Sequence, residues 1–253
     1  MRLAIKFAYN GVNFQGYARQ PKLKTIEGEI IELLIQNKII KDIKQSKFRS
    51  ASRTDKGTSA LGNVIAFNTM LTKSIVFKKL KNNKKDIFFY GIKNVEEDFY
   101  PRYAKLRVYS YYFKKQDFEV HKIIDVASVF IGEHNFNNFA RIESDKNPIR
   151  TIENIVLTEQ DNFLIIDFYA QTFLWHQIRR IISAIEKFCN KKITKEKIEA
   201  ALKNPNKKID FGLAYAEPLI LKDVIYDFKF DYEKNYLKKL NDFKNKIVLS
   251  LQN

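Results

Sequence analysis

The fold can be argued from one short polar segment, Ser50-Ala51-Ser52-Arg53-Thr54-Asp55-Lys56-Gly57-Thr58-Ser59-Ala60. Aromatic and β-branched residues are frequent on both sides of it, at 48–53 and 63–68, which is typical of β-strands. A small polar loop between two strands has two interpretations. It is either a turn whose Asp and Thr side chains cap the local backbone, or a catalytic loop built around Asp55.

Hydrophobic spacing predicts strands and helices on both sides of this loop. Leu3, Ile5 and Phe7 alternate with other residues, as in a half-buried strand. Further strands are predicted at 48–53, 63–68, 87–92, 107–113, 151–158, 163–169 and 224–230. The strands at 151–158 and 163–169 are predicted to form a hairpin across the polar residues 159–162. Helices are predicted after the N-caps Thr25 and Thr194, and at 124–131, 173–188 and 232–247. The apolar stripe of the 173–188 helix includes Leu174, Trp175 and Ile178.

Composition and charge indicate a folded protein with a polyanionic partner. The 45 Lys and Arg residues exceed the 29 Asp and Glu residues, which gives a net charge of +16. The hydrophobic share of 45%, with only 8 Gly and 5 Pro, excludes disordered, collagen-like and low-complexity classes. These numbers do not separate an enzyme from a binding protein.

The cysteine and histidine counts argue against disulfides, metals and nucleotide cofactors. Cys189 is the only cysteine, and the three histidines stand far apart, so the common zinc sites have no ligand set. The sequence also lacks a phosphate-binding loop and a dinucleotide-binding glycine motif. No signal peptide or membrane-spanning stretch is recognised. We therefore expect a soluble, cytoplasmic protein without a metal or nucleotide cofactor.

Two kinds of catalysis could use the Asp55 loop. Residues 55–58 are similar to the aspartyl-phosphate loop of phosphotransferases and cation pumps, whose carboxylate attacks phosphorus. That motif has one more residue between its Lys and Gly. The chain also lacks a second Asp two residues after Asp55 and an acidic pair to hold magnesium.

The second interpretation rests on resemblance to a known family. Residues 53–60 resemble the catalytic loop of the tRNA pseudouridine synthase A (TruA) family, in the form of its archaeal and eukaryotic branch. Other blocks resemble the remaining family motifs in the same order, at 9–17, 25–29, 99–104, 107–111, 134–139, 150–152, 173–180 and 219–226. Asn10, Thr58 and Ser59 depart from the usual residues of these motifs, and none of them removes a required catalytic group.

The resemblance implies an α+β fold of two similar halves. In that fold the antiparallel sheets of the halves join into a central sheet, with helices on one side and a basic cleft between the halves. The sequence prediction assigns residues 1–105 to an N-terminal half that carries the Asp55 loop. It assigns residues 106–253 to a C-terminal half with the other site residues.

The resemblance also implies roles for individual residues. Asp55 would be the catalytic carboxylate, acting as a nucleophile or as a base that removes a sugar proton. Tyr109 would stack on the target base and serve in proton transfer, and Arg179 would orient Asp55. RNA contacts are expected from Arg53, Lys56 and Arg102.

The family's activity is the isomerisation of uridine to pseudouridine in tRNA, without a cofactor. By resemblance, the expected targets are nucleotides 38 to 40 of the anticodon stem-loop, and the expected assembly is a homodimer on tRNA. The alternative is a non-catalytic tRNA-binding protein or chaperone that retains the fold. Binding alone does not require Asp55, Tyr109 and Arg179 together, which favours the enzyme.

Overall fold

A computed structural model describes residues 1–81, 85–115, 118–144 and 146–251, and the chain divides into two units. The first unit contains Met1–Lys105 and the chain from Ile220 onward, and the second contains Leu106–Leu219. The sequence prediction placed everything after residue 105 in the second half. The structure differs because the C-terminal segment returns to the N-terminal unit.

The described residues form eleven strands and six α-helices. In chain order these are β1 (Arg2–Tyr9), α1 (Ile26–Gln36), β2 (Arg49–Ser50), β3 (Ser59–Asn68), α2 (Lys73–Leu80), β4 (Ile87–Val95), β5 (Leu106–Lys114), α3 (Val120–Ala127), β6 (Gly132–Asn135), β7 (Ile149–Ile152), β8 (Asn154–Gln160), β9 (Phe163–Ala170), α4 (Gln177–Cys189), α5 (Lys195–Lys203), β10 (Leu219–Ile225), β11 (Asp231–Tyr232) and α6 (Tyr236–Leu249). The predicted α+β class is confirmed.

The first unit is organised around β1, whose eight residues are all buried. The strand order in this unit is β11-β4-β1-β3-β10, with β2 paired to β3. All these pairings are antiparallel except the short parallel pairing of β10 with β3, at Ile220 opposite Ser59. Both faces of this central strand are covered, and its residues are apolar except for Arg2 and Lys6.

The C-terminal segment is held in the first unit by an ion pair and by aromatic stacking. The Lys6 ammonium on β1 lies 2.5 Å from the Asp223 carboxylate on β10. The ring of Tyr90 on β4 stacks at 6.1 Å from Tyr232 and at 5.8 Å from Tyr236. Burial raises the pKa of Asp223, although the neighbouring Lys6 acts in the opposite direction.

The second unit contains a three-stranded antiparallel sheet in the order β5-β9-β8 and a separate β6-β7 pair. A hairpin joins β8 to β9 between Gln160 and Phe163, and Asp161 there has φ 52°, as tight hairpin turns require. This hairpin was predicted from the sequence and is confirmed. Among the described residues, no helix is long and apolar enough to cross a bilayer.

Several predicted element boundaries were wrong. The predicted helix at 173–188 begins only at Gln177, because His176 before it has the left-handed φ of 63°. Of the strand predicted at 48–53, only two residues, Arg49–Ser50, form a strand, which is β2. The helix predicted at 124–131 is α3, which ends at Ala127 and is followed by a 3-10 turn.

Candidate active site

Asp55 lies on a tight turn that leads directly into β3. The Thr58 amide donates to the Asp55 carbonyl oxygen over 3.2 Å, which closes a β-turn of four residues. Gly57 is the third residue of that turn and has φ 86°, a conformation that favours glycine at this position. Asp55 is half-buried, whereas Arg53 and Lys56 beside it are exposed. The turn therefore presents a carboxylate between two solvated cations.

A buried hydrogen-bond network supports this turn from below. The Tyr9 hydroxyl lies 2.9 Å from the Thr54 hydroxyl. The Asn63 side-chain amide donates to the Ser52 carbonyl oxygen over 3.0 Å and to the Tyr9 hydroxyl over 3.5 Å. Tyr9 and Asn63 are both completely buried. Buried polar groups that satisfy one another fix a single local geometry, so the network holds the turn in one place.

The segment 9–17 packs against the same turn. The Tyr17 amide donates to the Thr54 carbonyl oxygen over 3.1 Å. Gly16 has φ 98°, and a Cβ there would lie 3.4 Å from the Lys56 nitrogen. A Cβ at Gly11 would overlap the Thr58 carbonyl oxygen. A larger residue at Gly11 would therefore displace the Asp55 turn, whereas Gly16 is constrained by its positive φ.

The part that Tyr9 and Asn63 play in holding the Asp55 turn was not predicted from the sequence, where the 9–17 block was interpreted as a family motif. Asn63 stands at a buried position of β3 among apolar neighbours. A polar side chain inside a predicted buried strand was the available signal, since such a group needs a hydrogen-bond partner.

Arg102 lies in a separate turn of the first unit. The Tyr103 amide donates to the Tyr100 carbonyl oxygen over 3.0 Å, and the Tyr226 hydroxyl donates to the Pro101 carbonyl oxygen over 2.5 Å. Arg102 is exposed, and the adjacent Tyr103 has 83% of its surface exposed. Two of the features that nucleic acids contact, an arginine and an aromatic ring, thus lie side by side.

Tyr109 lies on β5 in the second unit, with only 8% of its surface exposed. Its ring meets the ring of Phe173 edge to face, with 5.3 Å between centroids and an 87° angle. Tyr111 points to the same face, because strand side chains alternate. Burial raises the pKa of Tyr111, and the positive charge of Arg179 opposes that rise. The Arg179 guanidinium therefore lies within electrostatic reach of the face that carries Tyr109.

Arg179 is fixed at the start of α4 by a reciprocal pair of contacts. Its Nε donates to the Ala214 carbonyl oxygen over 2.8 Å, and the Ala214 amide donates to the Arg179 carbonyl oxygen over 3.1 Å. The neighbouring Arg180 instead pairs with Asp210, with 2.8 Å between Nη1 and Oδ1. Tyr109 and Arg179 thus both belong to the second unit, whereas Arg53, Asp55, Lys56 and Arg102 belong to the first.

The other candidate reactive groups are the Cys189 thiol and clusters of metal-ligating side chains. Burial raises the pKa of Cys189 to about 11, so its thiol is protonated at neutral pH. Across residues 1–81, 85–115, 118–144 and 146–251, no three His, Cys, Asp or Glu side chains are grouped to hold a metal ion.

The chain is similar to proteins of one named family. A family model described as tRNA pseudouridine synthase matches residues 126–227. The tRNA pseudouridine synthase A of Thermococcus sibiricus is 40% identical over 245 residues, which cover 95% of this chain and 91% of the relative. The protein of the same name from Methanobrevibacter smithii is 32% identical over 276 aligned positions, which cover 98% of this chain and 94% of the relative.

Among solved structures, the chain is similar to one in the crystal structure of a Cbf5-Nop10-Gar1 complex. That likeness has a TM-score of 0.37 and 14% identity, and covers 73% of this chain and 44% of that one. A superposition of this quality carries no inference about activity. The relatives of the same name match at 32 to 40% identity along nearly their whole length. The chain belongs to the tRNA pseudouridine synthase A family, which is a family of isomerases.

Proposed function

We propose that this protein isomerises uridine to pseudouridine in the anticodon stem-loop of tRNA, at nucleotides 38 to 40, with Asp55 as the catalytic carboxylate. The observation that carries the proposal is the fixed Asp55 turn, which the buried Tyr9 and Asn63 support and which Arg53 and Lys56 flank. A carboxylate on a rigid turn meets the positional demand of catalysis, since small displacements from the reactive geometry lower the rate strongly.

The proposed reaction needs no oxidant, reductant or energy source. The bond between uracil N1 and ribose C1′ breaks, the uracil turns, and a bond forms between C5 and C1′. N1 ends with a proton and C5 loses one, so the product is an isomer of the substrate. The Asp55 carboxylate would start the reaction either by covalent addition or by removing a sugar proton. Both routes remain compatible with this proposal.

The remaining residues would bind and orient the target nucleotide. A base inside a stem must leave the stack before it can react, which costs a few kcal/mol. Tyr109 would stack on the extruded base, and the exposed Arg53, Lys56 and Arg102 would bind phosphates. Arg179 would pair with the Asp55 carboxylate and orient it, a role that rests on the family resemblance.

Release of tritium from uracil C5 tests the activity. Transfer RNA labelled there should release tritium to water in the presence of the protein, and Asp55→Asn should abolish release while tRNA binding changes less than threefold. Asp98→Asn is a matched control, since it removes the same charge from an exposed position in the first unit. Binding without release from any unmodified tRNA would instead support the non-catalytic alternative.

Two further variants test the assignment of Arg179. Arg179→Gln should lower the rate of release at saturating tRNA, because the carboxylate loses its orienting partner. Arg180→Gln removes the neighbouring guanidinium, which pairs with Asp210, and should leave that rate within about threefold. Equal losses in the two variants would contradict the role of Arg179.

The target position, the assembly and the location are part of the same proposal. Substrates with a single uridine at nucleotide 38, 39 or 40 should each release tritium, whereas a uridine in the acceptor stem should not. Light scattering should give the mass of a homodimer for the protein alone, and the mass of a homodimer with bound tRNA after tRNA is added. A cytoplasmic location follows from the proposed tRNA substrate and is tested by cell fractionation.

A further inference from the structure

Trp175 is displayed at the surface, although its spacing with Ile178 predicted a place in the apolar stripe of a helix. It lies in the segment Phe173–His176, which precedes α4, and 42% of its surface is exposed. It is the only tryptophan of the chain. The exposed part of the indole is an aromatic surface in contact with water, on which a planar group can stack.

An arginine covers part of this indole. The guanidinium carbon of Arg141 lies 4.1 Å from the centroid of the Trp175 ring, which is the geometry of a cation–π contact. The Arg141 amide also donates to the Trp175 carbonyl oxygen over 2.8 Å. The pair thus places a positive charge against a partly exposed aromatic ring.

The segment that carries Trp175 is rigidly held. The Leu174 amide donates to Gln177 Oε1 over 2.8 Å, and the Gln177 amide donates to the Leu174 carbonyl oxygen over 3.2 Å. Gln177 is 99% buried, and His176 is fixed in the left-handed conformation. A ligand that meets the indole therefore finds it already ordered, which reduces the entropy lost on binding.

We propose that Trp175 and Arg141 form a stacking site for an unpaired nucleobase of the tRNA substrate, a proposal that rests on the proposed function. Aromatic rings beside arginine suit unpaired nucleotides, because the base stacks on the ring while the guanidinium meets the phosphate. The net charge of +16 favours RNA over an apolar protein partner.

The position of this site in the second unit indicates which nucleotide it takes. Phe173 touches Tyr109, the residue proposed to stack on the target base, and Trp175 follows Phe173 by two positions. Two residues of chain span at most about 7 Å. We therefore expect the base on Trp175 to lie near the target uridine in the anticodon loop, and the site would then contribute to the choice of target position.

The fluorescence of the unaltered protein tests this directly, since all tryptophan emission comes from Trp175. Titration with an anticodon stem-loop RNA should quench the emission and protect the indole from acrylamide, with the same midpoint as binding measured on filters. Unchanged emission at saturating RNA, with normal tritium release, would overturn this site and leave the proposed function intact. Absence of both binding and release would overturn both proposals.

The affinity of Trp175 variants for the stem-loop provides a second test. Trp175→Ala should raise the Kd for the stem-loop by about 5- to 150-fold, the range expected for the loss of one stacked base. Trp175→Phe should recover most of the affinity, because a stacking face remains. Leu237→Ala is the control, since it removes an apolar side chain that is 67% exposed in the first unit. Emission that changes with protein concentration in the absence of RNA would overturn the proposal in favour of a contact between copies of the chain.

Discussion

Removal of the buried Tyr9 hydroxyl should show whether this group positions Asp55 for catalysis or only stabilises the fold. Tyr9→Phe preserves the shape of a completely buried side chain and deletes only its hydroxyl. That hydroxyl makes hydrogen bonds of 2.9 Å to Thr54 and 3.5 Å to Asn63. Asn63 keeps its 3.0 Å bond to the Ser52 carbonyl oxygen, and Thr54 keeps a weaker contact of 3.4 Å to the Thr58 carbonyl oxygen.

The magnitude follows from these two bonds. Each buried hydrogen bond contributes about 0.5 to 1.5 kcal/mol net, and the bond to Asn63 is weak at 3.5 Å, so the variant should lose about 1 to 2 kcal/mol of unfolding free energy. For a chain of this size that loss lowers the Tm by roughly 2 to 8 °C. If the same free energy holds the carboxylate in its reactive position, the rate of tritium release should fall about 5- to 30-fold at saturating tRNA. Affinity for tRNA should not change, since Tyr9 does not reach the surface.

Tyr17→Phe provides the matched control. Tyr17 is equally buried, and its hydroxyl donates over 2.8 Å to Ser50 on β2 instead of to the Asp55 turn. It should lose similar stability and keep its rate of release within about twofold. Single-turnover tritium release, thermal unfolding by circular dichroism and filter binding together provide the comparison. Equal rates for Tyr9→Phe and Tyr17→Phe would refute the claim that the buried network positions the catalytic turn.

Three further variants test other parts of the structure. Gly57→Ala should lose about 1 to 2 kcal/mol in urea unfolding and slow tritium release, because φ 86° strains any residue with a Cβ. Thr25→Ala should lose about 1 kcal/mol in thermal unfolding with unchanged activity of the folded enzyme, since Thr25 caps α1 by accepting from the Gly28 amide. Burial raises the pKa of Tyr112 to about 12, whereas unfolded tyrosine titrates near 10. The stability that depends on protonated Tyr112 is thus complete below pH 10 and is lost between pH 10 and 12. Tyr112→Phe should therefore move the midpoint of alkaline unfolding, followed at 295 nm, to higher pH.

Elements whose signals are local were predictable from the sequence. Thr25 and Thr194 were recognised as N-caps, and each side chain accepts a hydrogen bond from the third residue after it, as a capping residue should. The β8-β9 hairpin followed from two β-rich runs separated by a short polar turn. In each case the decisive contacts join residues only a few positions apart.

The start of α4 could not be predicted in the same way. Leu174 and Trp175 extend the apolar spacing of the helix, so the periodicity alone places them on its buried face. In the structure Phe173 instead contacts Tyr109, and Trp175 contacts Arg141. Hydrophobic periodicity describes the spacing of apolar residues but not their contacts. Aromatic residues in an ordered loop can therefore give the same pattern as a helical stripe.

The return of the C-terminal segment to the first unit was also not predicted from the sequence. Lys6 and Asp223, which form a partly buried ion pair, are separated by more than 200 residues, and the stacked rings of Tyr90 and Tyr236 are also far apart in the sequence. Nothing in the composition near residue 220 marks such a change of unit. Long-range pairs of this kind set the domain organisation, whereas propensity and periodicity describe only the single elements.

The candidate site shows what the motif blocks do encode. Residues 9–17 and 50–60 stand some forty positions apart, and the structure joins them through the Tyr9 hydroxyl, the Tyr17 amide and the close approach of Gly11. The motif that contains Tyr9 and Gly11 therefore helps to fix the backbone geometry around the Asp55 carboxylate. The glycines in the first block and the polar Asn63 in β3 are required only if the Asp55 turn occupies that position. A protein without this activity would need these contacts only for stability. The rate of tritium release, and not the Tm alone, must therefore distinguish Tyr9→Phe from Tyr17→Phe.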